Sequence, residues 1–97
     1  MMSTKAEELL VSAIQAFNSY HSPDITAQLV SIDDNTALIR FRSSLPEKNV
    51  YDYFEDLRIE VENRTAVPFN ILDIKHESDA FLVKFNLAYI LKAKLIE

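Results

Sequence analysis

The chain contains no cysteine, no glycine and no tryptophan among its 97 residues. Without cysteine there is no disulfide, no thiolate metal site, no cysteine nucleophile and no thiol redox chemistry, so stability rests on the apolar core. Average glycine usage of about 7% predicts roughly seven glycines in a chain this long, and their absence leaves positive-φ positions to residues such as Asn and Asp. It also excludes a dinucleotide fingerprint, a Walker phosphate loop, a nucleophile elbow and a GxxG nucleic-acid clamp. Each of these needs glycine where backbone turns sharply or approaches phosphate. No apolar run reaches the ~18 residues of a membrane span. The opening Met-Met-Ser-Thr-Lys-Ala-Glu-Glu places acids ahead of its apolar residues, unlike a secretory signal. The expectation is a cytoplasmic chain with no membrane partner.

What is present is the composition of an ordinary globular domain, 48% hydrophobic and 26% charged. A chain of this size buries roughly 65% of the surface its unfolded form exposes, enough for one unstapled core. A single domain over residues 1–97 is expected. The net charge of −5 and pI near 4.9 set a global field that repels polyphosphate, which disfavours nucleic acid or an anionic membrane as the main partner.

Over residues 4–20, Ala6, Leu9, Leu10, Ala13, Ile14 and Phe17 recur at steps of three and four, the stripe of a helix with one buried face. Ser3 or Thr4 can cap it, and Glu7 and Glu8 suit its positive end. Residues 18–24, with their polar side chains and proline, end it. Residues 25–32 and 36–42 are short β-branched or aromatic runs joined by Asp33-Asp34-Asn35, which predicts a hairpin. In the second run Ala37, Ile39 and Phe41 alternate with Leu38, Arg40 and Arg42, giving one apolar face and one carrying two guanidinium groups. Ser44-Leu45-Pro46-Glu47 matches a capping box, and Val50, Phe54, Leu57 and Val61 continue as a helical stripe supported by a Glu60/Arg64 pair. Residues 57–62 also alternate as a strand would, but the cap and the lack of a breaker before Thr65 favour helix. Residues 67–76 and 80–87 read as a second hairpin across Glu77-Ser78-Asp79, with Phe81, Val83, Phe85 and Leu87 alternating against Leu82, Lys84 and Asn86. Beyond Leu87 the chain is either a short helix or a projecting arm, because one strand through to Ile96 would run about 55 Å. The predicted fold is α+β, a two-layer α-β-β-α-β-β sandwich with an antiparallel sheet covered on one face by two helices.

In its order of elements the run over residues 6–75, particularly ALIRFRSSLPEKNVYDYFEDLRIEVENRTAV, resembles the C-terminal domain of NifU-type iron-sulfur scaffolds and, more loosely, ribosome-binding factor A. The resemblance implies the same layout. In the NifU-type family a CxxC motif between the second strand and second helix holds the cluster. Residues 43–49 contain no cysteine, so no cluster ligand carries over.

The chemistry-bearing residues are sparse. His76-Glu77-Ser78-Asp79 has metal-ligand types but not three or four converging ligands, and a polar turn accounts for it by solvation. Asp52, Glu55 and Asp56 fall on the outer side of the second helix near Arg58, where carboxylates stay ionised. Ser43 and Ser44 lack a neighbouring base. No catalytic residue, cofactor or metal is therefore expected. Tyr20, Tyr51, Tyr53 and Tyr89 suit half-buried positions or an interface.

Charge is unevenly spread: residues 44–66 carry six acids and three bases, whereas residues 80–97 carry three lysines and one acid. If the alternation holds, Leu38, Arg40, Arg42, Leu82, Lys84 and Asn86 share the sheet face away from the helices. This is a candidate face for the acidic surface of a protein partner or of a second copy of the chain or, as a second reading, for single-stranded nucleic acid. Leu87, Tyr89, Ile90, Leu91, Leu95 and Ile96 form an apolar terminal run, a candidate for self-association into a homodimer. The expected function is a non-enzymatic interaction or adaptor module.

Overall fold

A computed structural model describes residues 5–33, 35–43, 50–65 and 68–87. Its elements are α1 (Lys5–His21), β1 (Ile25–Ile32), β2 (Thr36–Ser43), α2 (Val50–Thr65), β3 (Ile71–His76) and β4 (Ala80–Asn86). The antiparallel sheet runs β1-β2-β4-β3, so the two hairpins meet at β2 and β4 in its centre, and the α+β architecture and element order match the sequence reading.

The core forms where the helical stripes meet the alternating strand residues. Leu10, Ala13, Ile14 and Phe17 of α1 and Val50, Phe54, Leu57 and Val61 of α2 pack on Ile25, Ala27, Ala37, Ile39, Phe41, Phe81, Val83 and Phe85. Its aromatic centre is a chain of contacts from Phe17 to Phe41, 5.8 Å edge to face, then Phe41 to Phe54 at 4.7 Å and Phe54 to Phe81 at 5.6 Å. Ile59 settles the two readings of residues 57–62. It would share a face with buried Leu57 and Val61 in a strand, but it is 45% exposed, as the helix requires. The capping box at residues 44–47 and the run beyond residue 87 lie outside the described residues.

The second hairpin differs from the sequence reading at its start. Residues 67–76 read as continuous strand, yet β3 begins at Ile71. Phe69 precedes it and is fully buried, stacked on Phe85 at 4.5 Å with the rings nearly parallel. Its backbone N–H donates to Glu62 Oε2 at 2.9 Å, and Arg58 grips the same carboxylate at 3.0 Å while reaching Glu55 at 2.7 Å. The hydrogen bond to Glu55 raises the Arg58 guanidinium above its ordinary value; burial opposes this and Glu62 adds to it. Helix α2 thus holds the entry to β3 by its side chains.

The outer edge of β1 is closed by another side chain. The Asn18 carboxamide donates to Ala27 O at 3.0 Å and accepts from Ala27 N at 2.8 Å, taking the place of a fifth strand at that residue. Ser22 Oγ reaches Ile25 O at 3.5 Å on the same edge.

Candidate functional site

Strand pairing decides which side chains share the face turned away from the helices. Across β2 and β4, Leu38 lies opposite Lys84, Arg40 opposite Leu82, and Thr36 opposite Asn86. Across β3 and β4, Asp73 lies opposite Lys84 and Lys75 opposite Leu82. On β1, Thr26 and Gln28 face Arg42 and Arg40. Because Ile39, Phe41, Val83 and Phe85 point into the core, their sequence neighbours point outward, and the six candidate face residues lie together on one surface.

The face has a definite make-up. Leu38 and Leu82 are half-buried at its middle, where with Asp73, Lys75 and Lys84 they line a shallow depression of about 230 Å³. Arg42, Lys75 and Lys84 are exposed around it and Arg40 is half-buried. None of these four cations forms an ion pair among the described residues, in contrast to His21, Arg58 and Arg64, each of which holds a carboxylate. The two layers are therefore electrostatically unlike: carboxylates cluster on α2, largely gripped by its own arginines, while the sheet face carries four cations against Asp73. Such a face attracts anions.

Asp73 and Lys75 are the members that sequence reasoning missed. Both belong to the run 67–76, whose inward and outward sides could not be assigned without the register to β4. The signal was the partnering hairpin strand, since a short turn at Ser78-Asp79 fixes Lys75 opposite Leu82.

The other candidates disperse. His76 stacks on Phe81 at 4.2 Å on the opposite side of the sheet, and no group of three or more metal-ligand side chains converges among the described residues. Glu55 is held by Arg58, and Asp56 lies 3.6 Å from His21, which packs on Phe17 and edge-on to Tyr53. Asp52 is exposed. Tyr51 is exposed beside Phe54 and Tyr20 is mostly in solvent. Leu87 is corrected outright. It is 0% exposed within the core, so its apolar surface is consumed in the fold and it leaves the self-association set. Tyr89, Ile90, Leu91 and Leu95 lie outside the described residues, as does Ser44. No helix among the described residues is long and apolar enough to cross a membrane. Comparison with known protein families and with curated proteins finds no match for this chain.

Proposed function

We propose that the chain is a non-enzymatic interaction module whose open sheet face binds an acidic, partly apolar surface of a protein partner. The observation that carries this reading is the set Arg40, Arg42, Lys75 and Lys84, without intramolecular ion pairs among the described residues, around the half-buried Leu38 and Leu82. An apolar centre rimmed by charge is the ordinary anatomy of a binding patch. The same cations also suit phosphates, but the described outer face offers no aromatic ring for base stacking. The protein reading is therefore preferred. Likeness to NifU-type domains stays at the level of layout, and no cluster carriage is proposed for a chain without cysteine.

A fluorescent twelve-residue peptide alternating Glu and Leu is the probe. It should bind at low salt, and Arg42→Glu with Lys84→Glu should weaken it on the order of tenfold. Binding of single-stranded RNA but not of the peptide would overturn the protein reading in favour of the nucleic-acid one. Failure of both would remove the face as a binding site.

A further inference from the structure

The helix layer carries a counterpart to the sheet face. Val50, Phe54, Leu57 and Val61 turn one side of α2 into the core, so the helical repeat sets Asp52, Asp56, Ile59 and Asn63 along the opposite side as an exposed ridge. Asp52 forms no ion pair among the described residues, and Asp56, 3.6 Å from His21, is still half exposed. The ridge is thus acidic toward its start, with one isoleucine at its middle. An isoleucine on the crest of a polar helix gains by burial.

We infer that the acidic, partly apolar surface bound by the sheet face is α2 of a second copy of this chain, its ridge lying along β2 with Ile59 in the depression between Leu38 and Leu82. The inference rests on the binding role proposed for that face and names its occupant. The spacing of charges agrees. Along the helix, Asp56 and Asp52 stand about 4.5 and 10.5 Å from Ile59. Leu82 lies opposite Arg40, so the middle of the depression falls midway between the levels of Leu38 and Arg40. From that point Arg40 and Arg42 stand about 3 and 10 Å away along β2. Each arginine therefore meets one aspartate when α2 runs antiparallel to β2. Running the helix the other way carries both aspartates toward Thr36 and Asn86, which pair at that end of the face and are uncharged.

The ridge points away from the sheet and the face points away from the helices, so two copies cannot satisfy both contacts with each other. The contact is heterologous, and successive copies join head to tail into an open chain or a larger ring. Charge complementarity selects the partner surface and the apolar centre supplies the burial. One helix of 16 residues on one sheet face is small beside a standard interface, so the contact is weak and the chain is monomeric below about 0.1 mM.

Sedimentation equilibrium of the full chain from about 10 μM to about 2 mM reads the assembly. Wild-type mass should rise beyond that of a dimer, because each added copy brings a new ridge and a new face. A ridge variant, Asp52→Asn with Ile59→Gln, and a face variant, Arg42→Glu with Lys84→Glu, should each self-associate at least about tenfold more weakly. Mixed in equal amounts, they should form a heterodimer that grows no further, since only the intact face of the first and the intact ridge of the second can meet. The substituted positions are exposed, and unchanged circular dichroism checks that both variants fold. The Glu-Leu peptide separates the inference from the reading beneath it: the ridge variant should bind the peptide as wild type does, and the face variant about tenfold more weakly. A wild type that binds the peptide but stays monomeric at the highest concentration overturns the self-docking and leaves the face to a foreign acidic partner. One that does neither overturns both. A dimer that never grows, an assembly that both variants retain, or a mixture no heavier than its parts overturns the inference equally.

Discussion

Replacing Asn18 with alanine removes both hydrogen bonds that tie the end of α1 to the outer edge of β1, at 2.8 and 3.0 Å. A typical intramolecular hydrogen bond contributes about 0.5–1.5 kcal/mol net, and an orphaned, partly buried N–H or C=O adds a desolvation cost. The pair is half-exposed, so water partly replaces the lost partner, and a loss of about 2 kcal/mol is expected. For a domain near this size that corresponds to a fall in Tm of roughly 8–16 °C. Asn18→Asp sharpens the reasoning. It keeps the acceptor for Ala27 N–H but loses the donor and turns a carboxylate toward Ala27 O, so it should destabilise at least as much as alanine. Ser19→Ala is the control, since Ser19 Oγ bonds only to Ala16 O at an exposed site on the same helix, and its effect should stay within about 0.5 kcal/mol. Urea unfolding followed by circular dichroism measures all three. An Asn18→Ala variant within about 0.5 kcal/mol of wild type would refute the claim that this carboxamide stands in for an edge strand.

Other substitutions test the remaining supports. Phe69→Ala empties a fully buried site against Phe85 and should cost about 3–5 kcal/mol by urea unfolding, a large part of a small domain's stability. Glu62→Ala frees both Phe69 N–H and one side of Arg58, with an expected loss of about 1–2 kcal/mol, whereas Glu62→Gln, which keeps an acceptor oxygen, should lose less. Ile59→Gln, at an exposed helical position, should shift stability by no more than about 0.5 kcal/mol; a core-sized loss would instead favour a strand at residues 57–62.

The layout was legible because each element carried its own periodicity. The alternation Ala37, Ile39, Phe41 against Leu38, Arg40, Arg42 placed the cationic face before any pairing was known, and β4 supplied Leu82 and Lys84 by the same rule. What could not be read lay in contacts between elements. Asn18 looked like an ordinary helix-ending polar residue, since its partner is nine residues away and is met only once α1 folds over β1. Phe69 looked like strand because it sits in an apolar run, yet Glu62 bonds to its N–H ahead of β3. Leu87 carried the same apolar signal whether it ended in the core or on a surface, and hydrophobicity alone cannot tell the two apart. The edge position of β3, which leaves Leu72 and Ile74 exposed, follows from the strand order β1-β2-β4-β3 and has no local signature.

The central claim is that the face built on Leu38, Arg40, Arg42, Lys75, Leu82 and Lys84 is where a partner binds. Its most direct test is to titrate the isotopically labelled chain with the Glu-Leu peptide and follow backbone amide shifts by NMR. The account expects the largest changes on β2 and β4 around Leu38, Arg40, Leu82 and Lys84, weakening as salt rises, with α1 and the outer side of α2 unmoved. Changes confined to the helices, or no saturable change at low salt, would contradict it.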